Sequence, residues 1–234
     1  MSIRLITFDL DDTLWDVAPV MNNAEHELRQ WLSLNAPALG PVPIEHLWAV
    51  RKRLLSADPG LKYRLSELRR KILLHALQEA GYGLNQAQEL AEGGFQVFLA
   101  ARHKVTFFDG VHSTLERLAQ HYTLGVITNG NADVARLGLA DYFQFALSAE
   151  GLGVGKPEAL PFTEALRRSG ARAEQALHIG DHPSDDIAGA RQAGWHAVWY
   201  NPQQKPWSGE HAPSAQVHQL QELPALLARW PQNP

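Results

Sequence analysis

The feature that most constrains this chain is the spacing of its short apolar runs. From Phe107 onward such runs recur between stretches of helical periodicity: TLGVIT (123–128), FQFALS (143–148), ALHIG (176–180) and HAVWY (196–200). Short runs rich in apolar residues read as strands buried on both faces. The stretches near 111–120, 158–168, 184–193 and 216–229 predict helices, with a shorter one before FQFALS. Strands alternating with helices in this way build a parallel, doubly wound α/β sheet. An opening apolar run over residues 3–8 supplies one more strand.

Residues 17 to about 104 differ in character. They hold no good strand, but apolar residues recur at helical spacing: Leu28, Trp31 and Leu32; Leu47, Val50 and Leu54; Leu65, Leu68, Ile72, Leu73 and Leu77. Pro37, Pro41 and Pro43, then Asp58-Pro59-Gly60, then Gly81 and Gly83 punctuate the segment into four helices. The expected organisation is an α/β core over 1–16 and 105–234, with an inserted α-helical bundle cap over 17–104. A net charge of -4 argues against a general nucleic-acid binder. With no cysteine, any metal must be held by oxygen or histidine. No stretch approaches the roughly 20 apolar residues of a membrane helix. The N-terminal run is too short for a signal peptide and is interrupted by Asp9. The expectation is a cytoplasmic protein, monomer or homodimer, without a membrane or nucleic-acid partner.

Ligands of open α/β sheets bind beyond the carboxyl ends of the strands. The polar residues at those ends are Asp9 and Asp11 after the first strand, and Thr128 and Asn129 after the second. Lys156 follows in the loop GLGVGKP, and Asp181, Asp185 and Asp186 come after HIG. Residues two apart in extended backbone point the same way, so Asp9 and Asp11 face one ligand. Acid at the end of a buried strand is costly unless a positive charge compensates it. Converging carboxylates without cysteine suit a hard ion, most simply Mg²⁺. With that ion and Lys156 cancelling charge, Asp9 can attack a phosphate ester and form an aspartyl-phosphate. Asp11 is then placed to protonate the leaving oxygen and later to deprotonate water. Thr128, Asn129 and nearby backbone amides would hold the phosphoryl oxygens.

These residues resemble the four motifs of the haloacid dehalogenase-like hydrolases, in the same order and over essentially the whole chain. The Asp-x-Asp pair corresponds to Asp9 and Asp11, the strand-end Thr to Thr128, the Lys to Lys156, and Gly-Asp…Asp to Gly180, Asp181 and Asp186. The resemblance implies that Asp9 is the nucleophile and Asp11 the general acid/base, its backbone carbonyl on the metal. It also makes Asp181 a direct metal ligand and Asp186 its support, through water or hydrogen bonds. FDLDDTLWD, VITNGNADVARLGLADYFQFALSAEGLGVGKP and HIGDHPSDDIAGARQAG are further similar to a bacterial branch of riboflavin biosynthesis. That branch dephosphorylates 5-amino-6-(5-phospho-D-ribitylamino)uracil and FMN. This chain has Gly155 before Lys156, where that branch carries Ser.

Four other readings stand beside this one. A 2-haloacid dehalogenase also uses an Asp nucleophile, but needs neither a metal nor an acid two residues on. A nucleotide or sugar phosphatase of the same fold would share every motif. A phospho-signalling receiver is about half this length and lacks such an insertion. A non-catalytic phospho-ligand sensor has no reason to keep every catalytic group.

Several residues also carry plainer readings. Asp12 points away from Asp11 and braces the loop, where Thr13 hydrogen-bonds. Asp186 is preferred to Asp185 for the metal. His182 supports the site loop, and His178 is a packed core histidine. Residues 51–71 hold eight basic residues against Asp58 and Glu67, which reads as a solvated helix face. Alternatively Lys62, Tyr63 and Arg64 read an anionic, small phosphorylated metabolite. Trp15, Trp31 and Trp48 are assigned to the core, with stacking of one of them on a planar substrate ring as the alternative.

Overall fold

A computed structural model describes residues 2–230 and divides the chain into two compact units. One takes the chain up to Asp16 and again from Thr106; the other runs Val17–Val105.

The first unit is built on six parallel strands: β1 (Leu5–Phe8), β2 (Thr123–Thr128), β3 (Phe145–Ser148), β4 (Ala176–Gly180), β5 (His196–Tyr200) and β6 (Ala215–Val217). Their order is β3-β2-β1-β4-β5-β6, so the chain winds outward on one side of β1 and then on the other. The crevice of such a sheet opens where the winding reverses, beside the central strand. Flanking helices are α5 (Val111–Ala119), α6 (Ala149–Leu152), α7 (Ala159–Ser169), α8 (Gly189–Gln192) and α9 (Leu223–Ala228). β1 is buried at every residue, as its unbroken apolar run requires. Leu5, Phe145, Phe162, Trp195 and Trp199 share one core cluster.

The structure corrects two expected helices of this unit. The expected helix over 216–229 is instead β6, a short 3₁₀ turn over Leu220–Glu222 and only then α9. Three residues at a sheet edge, two of them not buried, carry too little apolar signal to read as a strand. The expected helix over 184–193 opens as a turn of π-helix, Pro183–Ala188, before narrowing into α8. Its amides mark the change: Asp186 and Ile187 both donate to the His182 carbonyl. Such wide turns recur at functional sites.

The inserted bundle has four main helices: α1 (Val17–Asn35), α2 (Ile44–Ala57), α3 (Leu65–Glu79) and α4 (Leu84–Arg102). Leu28, Leu73, Leu77, Phe95 and Phe98 form its core. Gly93 and Gly94 let α1 approach α4, because a Cβ on Gly93 would stand 2.8 Å from the Trp31 ring. The basic stretch is largely spent inside this unit. Arg53 pairs with Glu79, Arg69 with Glu25, Arg70 with Glu92 and Lys71 with Glu67. The guanidinium groups of Arg69 and Arg70 also lie 3.6 and 3.7 Å from the ring centres of Phe98 and Phe95. Trp48 departs from its core assignment: it is 59% exposed on α2, while Trp15 is fully buried and Trp31 is half-buried.

Candidate active site

The chain leaves β1 through Asp9 and crosses a tight loop in which Asp12 takes a left-handed backbone, φ 58°. Trp15 bridges to Asp11 on one side and to Phe107 on the other, and the Phe108 amide donates to the Leu14 carbonyl. The two ends of the insertion are thereby tied together beside β1. β2 ends on buried Thr128, whose hydroxyl accepts the Gly130 amide at 3.0 Å. β4 ends on Gly180, and the next residue is Asp181. A Cβ at Gly180 would overlap the carboxyl group of Asp186, so glycine here is what lets that side chain fold back on the strand.

Lys156 organises the centre. Its ammonium lies 2.7 Å from Asp9 Oδ1 and 2.5 Å from Asp186 Oδ1, with all three residues buried. Burial works against the Lys156 charge, but Asp186 and Asp9 outweigh it and hold the group above its ordinary range. Burial likewise opposes ionisation of Asp186, yet Lys156 and His178 keep it below the usual carboxylate range. Asp9 goes the other way. Burial pushes it well up, Lys156 draws it back only in part, and Asp186 and Asp181 add to the rise. Asp181 is raised from 3.8 to about 7 by burial, with Asp186 and Asp12 adding to it.

Carboxylate oxygens of Asp9, Asp181 and Asp186 come within 4.8 Å of one another. The upward shifts of two of these acids mark a site whose single ammonium does not balance its negative charge. An all-oxygen donor set with surplus negative charge fits a hard divalent cation. Asp186 can meet such an ion only sparingly. Its Oδ1 accepts from Lys156 and His178 and its Oδ2 from the His182 amide, using three of about four acceptor positions. The Asp11 carboxylate is not part of the cluster, and Asp11 itself is half-buried.

Other expected residues take different places. The Asn129 side chain grips the Lys156 backbone from both sides: Oδ1 accepts its N–H at 2.8 Å and Nδ2 donates to its carbonyl at 2.9 Å. Nδ2 also reaches Asp185 at 3.1 Å. The side chain read as a phosphate ligand is thus engaged in holding the lysine loop. A Cβ at Gly155 would overlap Asn129 Oδ1, which explains glycine at that position. Asp185 braces this clamp, and His182 accepts the Asp185 amide. Thr13 reaches Asp181 at 3.3 Å.

Arg64 needs the same correction. Its guanidinium spans Asp58 at 2.5 Å and Glu67 at 2.7 Å, so it closes a turn in the helical unit and is not a free anion reader. Tyr63 in that unit stacks beneath the Lys62 ammonium, 4.6 Å from its ring centre. His178 is fully buried, as the sequence reading had it, but its contact with Asp186 at 3.1 Å was not foreseen. The only hint was a polar residue inside an otherwise apolar strand.

A haloacid dehalogenase-like hydrolase model matches residues 3–194. The chain belongs to that family. It is 31% identical over 229 residues to 5-amino-6-(5-phospho-D-ribitylamino)uracil phosphatase YigB of Escherichia coli K12, covering 96% of each chain. A crystal structure described as a 2-haloacid dehalogenase, from Pseudomonas syringae pv. Tomato DC3000, is 61% identical. It superposes with a TM-score of 0.96 over 98% of this chain and 100% of that one. The putative HAD-hydrolase YfnB of Bacillus subtilis, in a form bound to magnesium, is 25% identical, with a TM-score of 0.66 over 97% and 99% of the chains.

Because Asp181 holds a proton up to about pH 7 in the metal-free protein, proton and cation compete. Apparent Mg²⁺ affinity by calorimetry should rise from pH 5 to about 7. The raised acids have a matching effect on stability. Asp181 contributes stability below its unfolded value that is lost as pH rises through about 7, so chelated protein should melt lower at pH 8 than at pH 5.5 on its account. Saturating Mg²⁺ should offset that loss. Gly180→Ala should displace Asp186 and weaken Mg²⁺ binding at least tenfold, about 1.4 kcal/mol, with an unchanged circular dichroism spectrum.

Proposed function

We propose that this hydrolase is a Mg²⁺-dependent phosphomonoesterase working through an aspartyl-phosphate on Asp9. The observation that carries this reading is the buried Lys156 ammonium between Asp9 and Asp186, within an acid cluster that remains short of positive charge. A phosphate dianion cannot approach a carboxylate nucleophile unless cations screen it. A bound Mg²⁺, held by Asp9, Asp181 and the Asp11 carbonyl with Asp186 in support, would supply that screening.

With Oδ1 of Asp9 engaged by Lys156, Oδ2 is the attacking oxygen. It forms a bond to phosphorus while the bond to the leaving oxygen breaks, and Asp11 donates a proton to that oxygen. Lys156 has three N–H groups and uses two on Asp9 and Asp186, leaving one for a phosphoryl oxygen. Thr128 and the backbone amides beyond β2 hold the others. Asp11 then takes a proton from water, water attacks phosphorus, and the bond to Asp9 breaks to release phosphate.

The second reading is 2-haloacid dehalogenase, favoured by the description of the Pseudomonas syringae structure. A halide leaves without a proton and a haloacid carries only one negative charge. That reaction has no metal for Asp181 to hold and no leaving oxygen for Asp11 to protonate, and it leaves Asp186 only its pairing with Lys156. The similarity to YigB, a 5-amino-6-(5-phospho-D-ribitylamino)uracil phosphatase, supports that phosphate as the small metabolite used, and the sequence resemblance adds FMN as the second candidate.

The deciding experiment incubates purified protein with a panel of phosphomonoesters, with Mg²⁺ or with EDTA, and in parallel with 2-chloropropionate. Phosphate release that needs Mg²⁺ is expected, with FMN or the ribitylaminouracil phosphate at least tenfold above glycerol phosphate in kcat/KM, about 1.4 kcal/mol. Chloride release unaffected by chelation would establish the dehalogenase instead. Asp9→Asn should abolish turnover while preserving the fold, and more than a few per cent of residual activity would remove Asp9 as nucleophile.

A further inference from the structure

We infer that His178, oriented by the Thr7 hydroxyl, is a positioning residue that fixes the Asp186 carboxylate and, through it, the Lys156 ammonium. Thr7 and His178 are partners in the parallel register of β1 and β4, so their side chains leave the sheet on the same face. Thr7 Oγ1 lies 2.8 Å from His178 Nδ1, and His178 Nε2 lies 3.1 Å from Asp186 Oδ1. Thr7 and His178 are fully buried and Asp186 is 1% exposed, so water does not substitute for either contact. The Phe162 ring meets the imidazole edge-on, 5.7 Å between centres at 88°, and holds its plane.

The proton positions follow from chemistry. Ionised Asp186 only accepts, so Nε2 carries the proton and donates. A fully buried imidazole with one proton is neutral, which leaves Nδ1 to accept from the Thr7 hydroxyl. The chain therefore runs in one direction, from Thr7 to His178 to Asp186. Beyond it, the Lys156 ammonium lies between Asp186 Oδ1 and Asp9 Oδ1. Without the imidazole donor, Oδ1 of Asp186 is held by Lys156 alone, and the carboxylate can turn about the single anchor that the His182 amide gives Oδ2. A structural histidine would matter only to stability. A positioning one matters to the geometry of the charged cluster.

The experiment uses the full chain and three substitutions. His178→Leu removes the donor, His178→Gln keeps an N–H near the Nε2 position, and Thr7→Val removes only the hydroxyl that sets the ring. Each protein is titrated with Mg²⁺ alone by calorimetry and assayed on whichever substrate the panel identifies. His178→Leu should weaken Mg²⁺ binding at least fivefold and lower kcat at least tenfold, with KM changed less than threefold. His178→Gln should recover most of both losses, and Thr7→Val should fall between. Mg²⁺ affinity and kcat within twofold of the parent in folded His178→Leu would overturn the inference, as would a Gln variant no better than Leu. If His178→Leu does not fold, Thr7→Val decides on the same criteria. The inference rests on the proposed reading in both arms, on its Mg²⁺ site for the titration and on its reaction for kcat, and a parent protein that binds no Mg²⁺ would overturn both. Normal Mg²⁺ titration changes without phosphatase activity would remove the reaction and leave the positioning role standing.

Discussion

Three carboxylates share one buried ammonium, and much of the core unit is arranged around that imbalance. Lys156 is 4% exposed and has no solvent to lean on, so Asp9 and Asp186 must supply its compensation. Removing one partner of a buried pair costs on the order of 3–5 kcal/mol, because the other charge is stranded. The constraint reaches outward from there. Asn129 clamps the lysine backbone, Gly155 leaves room for that clamp, and Gly180 leaves room for Asp186. The π-turn at Pro183–Ala188 carries Asp185 toward Asn129 and Asp186 toward Lys156. None of these features improves the core. Each serves to hold a charge in place.

The same arrangement is electrically unfinished. Asp186 stays ionised against burial, while Asp9 and Asp181 are driven up because one ammonium cannot satisfy three acids. A protein selected for stability alone would replace such a cluster with apolar residues of similar volume at little cost. Retaining it gives up stability for a place where an added positive charge would be strongly stabilised. The sheet makes this tolerable by confining the cluster to strand ends, so the apolar layers beneath remain intact.

What was legible in the sequence follows the range of the interactions involved. β2, β4 and β5 are evident because each is a short apolar run whose signal is local. The four helices of the bundle are evident from their periodicity and from the Pro and Gly between them. β6 is lost because an edge strand of three residues buries little. Arg64 and Glu67 stand three apart, a spacing that allows pairing on a helix, but the contact of Arg64 with Asp58 depends on the turn between α2 and α3. His178 was the hardest. Its meaning depends on the register of β1 against β4, which sets it beside Thr7, and on a turn that returns Asp186 beneath it. Sequence spacing carries neither.

Fold alone does not separate the two readings of the chemistry. The similarity to a structure described as a 2-haloacid dehalogenase and the similarity to a phosphatase both span nearly the whole chain. The difference lies in what each reaction asks of the charges. Displacing halide from a monoanion needs one carboxylate and a pocket for a stable anion. Hydrolysing a phosphate monoester brings a dianion against a carboxylate and expels an alkoxide, so it needs a cation, a proton donor and acids to hold the cation. This chain carries Asp11 two residues after Asp9, and Asp181 and Asp186 converge on Asp9. Under the dehalogenase reading that surplus of buried negative charge would oppose both the substrate anion and the departing halide. Under the phosphatase reading every one of those acids has work, and on that ground the electrostatics support the proposal against the higher identity.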